Sequence, residues 1–151
     1  MRRAARLALA LLAVAACRDR DRGASPEAAI RAFTDACNAD DPAAIAATVV
    51  PADRLARALT CPDDSDTIAV AARLGEAFRT QNRGAAIEIV DLVATRDAIA
   101  PGASVFGCTA REAFEHARVT ATLRFAGELK TEVAELAALD GVWRIVPRAQ
   151  P

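Results

Sequence analysis

The sequence has no tyrosine. It carries one tryptophan, one methionine, one histidine and a single lysine, Lys130. It has no C-x-x-C pair and no paired histidines, which removes the usual structural zinc spacings. No glycine-rich phosphate loop and no serine-nucleophile motif occurs, so nothing in the chain implies a cofactor. Neither charge is in excess: 19 Lys+Arg against 20 Asp+Glu give a net charge of -1 and a pI near 5.9. With no basic stripe either, a protein whose main work is gripping nucleic acid through its phosphates is excluded. There is no internal repeat and no low-complexity tract in the body of the chain. At 151 residues there is room for one domain. Hydrophobic residues reach 53%, but 39 of them are alanines, which bury little surface each.

The first residues form a separate unit. Met1-Arg2-Arg3-Ala4-Ala5-Arg6 is basic, and Leu7 to Ala16 is an apolar run of ten. Ten helical residues cover about 15 Å against a bilayer core of about 30 Å, so the run is a signal-peptide core and not a membrane span. Val14-Ala15-Ala16-Cys17 closes it and resembles the lipobox of bacterial lipoproteins. Small residues there let a peptidase reach the bond before the cysteine, whose thiol takes the lipid as a thioether. Val14 stands where that pattern more often has leucine. The resemblance implies residues 1–16 as a signal peptide, lipidation of Cys17, and anchorage in the bacterial cell envelope. Two or three acyl chains would hold the protein stably where one is marginal. Arg18 occupies the position where inner-membrane retention favours Asp, so the resemblance places the chain on the periplasmic face of the outer membrane. Residues 17–24 then read as the lipidated cysteine and a solvated, charged tether.

The remainder, 25–147, reads as one domain, with 148–151 as a tail. Ser25-Pro26-Glu27 is a helix start, and Ile30, Phe33 and Cys37 keep helical spacing to about Asn38. Asp41-Pro42 starts a short second helix, and residues 51–59 form a third that buries Leu55, Ala58 and Leu59. Ser65 or Asp66 caps a longer helix through Ile68, Ala71, Leu74, Gly75 and Phe78, ending before Gly84. The period then falls to two. Residues 86–95 are a strand whose alternation slips at Ile89 and Val90, the mark of a bulge. Residues 116–125 form the cleanest strand, with Ala117, Val119, Ala121, Leu123 and Phe125 on one face. The opposite face holds His116, Arg118, Thr120, Thr122 and Arg124, a solvated pattern. Residues 128–139 and 142–146 follow across Ala126-Gly127 and Asp140-Gly141, the latter a type I′ hairpin turn. Residues 103–115 carry both a capping box at Thr109–Glu112 and a strand signal at Val105-Phe106.

Helices followed by a meander predict an α+β domain, N-terminal helices packed on a curved antiparallel sheet. The opening SPEAAIRAFTDACNADDPAAIAATVVP and the closing AALDGVWRIVP resemble the first helices and last hairpin of small bacterial lipoproteins with a cystatin-like, nuclear-transport-factor-2-like fold. That resemblance implies a half-open cone that often holds a pocket and often forms homodimers.

Three cysteines remain beyond Cys17. Cys37 lies on the apolar face of the first helix and reads as a small buried hydrophobe. Cys61 and Cys108 sit in loops beside proline and glycine, in an exported chain where disulfides persist, and are the favoured pair; three free thiols are the alternative. The Asp63-Asp64-Ser65-Asp66 cluster reads as helix capping, since a calcium loop needs more oxygen ligands and a glycine. The leading functional expectation is a lipid-anchored, non-enzymatic envelope domain that binds a small apolar ligand or a protein partner. A second is a dehydratase- or isomerase-like enzyme, which the resemblance builds on His116 with Asp35 or Asp91 inside the cone. A third is a purely structural envelope module.

Overall fold

A computed structural model of the chain describes residues 22–63, 65–81, 84 and 86–148, the side chains of 79–81 excepted. The signal-peptide reading, Cys17, Asp64 and residues 149–151 lie outside the described residues. The architecture is α+β: a few helices, a curved four-stranded antiparallel sheet and a small second sheet.

Helix α1 spans Pro26–Asn38. It starts where Ser25 Oγ accepts the Ala28 N–H at 3.1 Å, with Pro26 and Glu27 in its first turn. Helix α2, Pro42–Ala47, repeats the device through Asp41, and α3 covers Ala52–Ala58. The two-residue strand β1, Leu59–Thr60, leads to α4, Thr67–Gln81. Ser65 Oγ accepts the Thr67 N–H at 3.3 Å, as a capping residue does.

The main sheet has the order β2-β5-β6-β7, where β2 is Ile87–Ile99, β5 Phe114–Phe125, β6 Glu128–Leu139 and β7 Val142–Val146. Its register shifts between Ile89 and Asp91, so Val90 is the extra residue of a bulge. Strand β2 runs four residues beyond the expected end at Thr95, because β5 pairs with it along its whole length. Residues 103–115 form no helix. Ser104–Val105 is β3 and Cys108–Ala110 is β4, and the capping-box segment is taken up by the ladder between β1 and β4. The hairpin turns Phe106-Gly107, Ala126-Gly127 and Asp140-Gly141 all have positive φ at both residues, the I′ signature that matches strand twist.

One face of the main sheet carries Ala117, Val119, Leu136, Trp143 and Ile145, and α1 packs there through Ala29 and Ile30. Phe33 and Phe78 meet edge to face at 5.7 Å behind them. Phe125 was expected on this core face and is instead exposed. The reason is length: thirteen helical residues reach about 20 Å, while twelve strand residues reach about 40 Å, so β5 outruns its cover. On the other face, the top of the sheet is buried under α3, the start of α4 and the small sheet β1-β4-β3. The lower half of that face is open.

The two sheet edges differ. Gly23 O accepts the Trp143 N–H at 3.0 Å, Thr48 O accepts that of Ile145 at 2.8 Å, and Ile145 O accepts that of Val50 at 2.8 Å. The outer edge of β7 is therefore covered. Gly23 is buried, and a Cβ there would collide with the Val142 side chain. The chain is pinned at Gly23, inside the stretch the sequence assigned to a flexible tether. On β2, only the start is held among the described residues: the Asn38 side-chain amide bonds both the N–H and the carbonyl of Ile87 at 2.8 Å, as a neighbouring strand would.

Candidate functional site

His116 stands on β5 opposite Asp97 of β2 and Ala137 of β6, on the face away from α1. One row below, Arg118 faces Glu135. His116 Nε2 lies 2.6 Å from Glu135 Oε2, and its Nδ1 lies 3.8 Å from Asp97 Oδ2. Arg118 donates to Glu135 Oε1 from Nε at 3.0 Å and from Nη2 at 2.9 Å. The imidazole and the Glu135 carboxylate are only 15% and 14% exposed, so the solvated reading of this face fails at its upper end. The cover is Phe106, at the tip of the β3–β4 hairpin, whose ring meets the imidazole edge to face at 5.4 Å. The guanidinium of Arg148 lies 5.3 Å from the centre of the Phe106 ring. Burial alone would raise the Glu135 carboxyl. The hydrogen bonds and charges of His116 and Arg118 outweigh that and hold it below its ordinary value.

The enzyme expectation required His116 with Asp35 or Asp91 inside the cone, and the structure does not bring them together. Asp35 is on the exposed side of α1, across the sheet from His116. Asp91 shares the histidine's face but pairs with Thr122, six residues along the strand and about 20 Å away. The actual partners, Glu135 and Asp97, were missed. The signal for Glu135 was present: a two-residue loop at Ala126-Gly127 fixes every pair of that hairpin, from Phe125 with Glu128 down to Arg118 with Glu135.

Cys61 and Cys108 are disulfide-bonded. They continue the β1–β4 ladder by one pair, and their Cα atoms lie 4.3 Å apart, the spacing of a narrow antiparallel pair. Cys37 is free and buried, and burial pushes its thiol up to about 11, where it is inert at neutral pH. A second ionic clamp lies at the opposite end of the sheet from the exposed face. Arg54 of α3 donates to both oxygens of Asp140, at 2.9 and 2.8 Å, and to Glu112, with 14% of its side chain exposed. Those bonds, Arg54's first, hold Asp140 below its ordinary value.

The main grooves of the described surface are open troughs, and none is lined by His116 or Glu135. Among the described residues no group of three or more His, Cys, Asp or Glu side chains is placed to hold a metal ion. No described helix is long and apolar enough to cross a membrane. No protein-family model, curated protein or solved structure matches the chain.

Proposed function

We propose that this chain is a lipid-anchored envelope domain that acts by binding a protein partner. Cys17 is its lipid site and its fold is a nuclear-transport-factor-2-like half-open cone. The basic start, the ten-residue apolar run and Val14-Ala15-Ala16-Cys17 support the anchor. The order of helices then meander, with a curved sheet half wrapped by α1, supports the cone.

One observation carries the choice of a protein partner. On the lower half of the outer sheet face, Val93 is 57% exposed and Leu129 61%, with Val133 on the same side. The space between sheet and α1 is meanwhile filled by Trp143, Leu136, Ile30 and Phe33. Exposed apolar residues gathered on one sheet face, interleaved here with Thr120 and Thr131, mark an interaction surface, whereas a carrier of small apolar ligands needs an enclosed cavity. The pairing of His116 with Glu135 beneath Phe106, away from the grooves, supports binding over acid–base catalysis.

The test is native mass spectrometry of the chain recovered from cells under non-reducing conditions, with a photo-crosslinking residue at Val93 or, as control, at Arg111. The expected result is an acylated Cys17, no stoichiometric small-molecule adduct, and a crosslinked protein from Val93 only. A stoichiometric adduct beyond the anchor would make the protein a carrier. Equal crosslinking from Arg111 would remove the surface.

A further inference from the structure

We infer that the trough formed by Arg57, Arg144 and Asp140 beside the tether is a phospholipid-headgroup site, through which the domain lies against its own membrane. The inference rests on the anchor reading and deepens it. Its first support is the pinned chain. Only five residues lie between Cys17 and Gly23, so the fixed point stands at most about 20 Å from the lipidated cysteine. On that reading the surface around Gly23 is held within reach of the bilayer.

The second support is what that surface contains. The notch where the chain leaves Gly23 is lined by Ala47, Trp143 and Arg144. Ala47 and Arg144 also line the adjoining trough, of about 290 Å³, which adds Arg54, Arg57, Asp53 and Asp140. Three guanidiniums meet Asp53 and Asp140 in the trough and Glu112 behind Arg54, so the charges of both signs balance. Arg54 is consumed by Asp140 and Glu112 and acts as the wall. Arg144 donates its Nε to the Ala47 carbonyl at 3.2 Å, and its charge also acts on Asp140 across the trough. Arg57 holds Asp53 in an exposed pair, 65% and 70% open, which costs little to exchange. A phosphodiester matches Arg57 and Arg144, since guanidinium forks bind phosphate oxygens in pairs. The ammonium of an ethanolamine headgroup matches Asp53 or Asp140, each largely exposed. The mixed signs, poor for a simple anion, suit a zwitterion.

The experiment uses the chain recovered from cells in vesicles of phosphatidylethanolamine and phosphatidylglycerol, with a quencher on the headgroup. Trp143, the one tryptophan and a wall of the notch, is the reporter. The expected result is quenching of Trp143 that falls about fivefold for each of Arg57→Gln and Arg144→Gln, and is unchanged in Arg124→Gln, at the far end of the sheet. Quenching that survives both substitutions, or that falls equally with Arg124→Gln, overturns the site. So does saturation of the trough by inorganic phosphate with no vesicle-dependent signal. The mass at Cys17 separates the two readings. If the cysteine is unmodified the anchor fails, and the same chain titrated against the same vesicles still decides whether Arg57 and Arg144 recognise headgroups.

Discussion

Removing the Cys61–Cys108 bridge is the perturbation whose cost can be worked most directly from the structure. The bridge closes a loop with a sequence separation of 47 that contains α4, all of β2 and β3, and ends on the first residue of β4. In the chain-entropy treatment a closed loop of about 48 residues removes about 13.6 cal/mol/K from the unfolded ensemble, or about 4 kcal/mol at 25 °C. That value applies in full only where the native state bears no distortion from the link. Here the condition is met, because Cys61 and Cys108 fall in register with Leu59↔Ala110 and Thr60↔Thr109. The ladder would bring them together without the bond. The double substitution Cys61→Ala/Cys108→Ala avoids leaving an unpaired thiol in that ladder. In urea, with a slope of about 2 kcal/mol/M, the midpoint should drop by about 2 M with the slope little changed. Amide exchange should show β4 and the start of α4 losing protection first. A midpoint shift under about 0.5 M would refute the reasoning, since it would mean that residues 61–108 are held together in the unfolded chain by something other than the bridge.

Other expectations follow from the same geometry. Leu136, fully buried on β6, should cost about 3–4 kcal/mol on truncation to alanine, read by urea unfolding. Asn38→Ala should cost about 1 kcal/mol and speed amide exchange at Ile87, because both its amide bonds hold the start of β2. The Glu135 carboxyl is held below its ordinary 4.5 in the folded state, so its contribution is present above that value and lost as pH falls through the folded one. Glu135→Gln should therefore flatten the acid limb of a stability–pH profile below about pH 4.5, and an unchanged limb would detach Glu135 from acid unfolding.

The helices were legible because their starts are chemical. Ser25-Pro26 and Asp41-Pro42 each place a cap and a proline where a chain must turn into a helix, and both caps are seen. The bulge at Val90 showed as a slip in alternation, since a single extra residue changes which side chains face inward. What could not be read was cover. The alternation of β5 separates two faces but does not say how far a helix reaches, which is why Phe125 appeared to belong to the core. Nor does it say that Phe106 lies over His116. That contact comes from a hairpin tip folded across the sheet, and no periodicity in 103–115 encodes it. The residues around His116 were sought on α1 and at the bulge, whereas the pairing register places them on the neighbouring strands.

The unequal edges of the main sheet set a limit on assembly. With β7 sealed by Gly23 and Thr48–Val50, hydrogen-bonded growth of the main sheet has, among the described residues, the edge of β2 to proceed from. Two copies meeting there would leave a sealed edge at each end, so edge-to-edge addition terminates at a pair. Addition that stops at a pair keeps the main sheet from running on into fibrils by its edges.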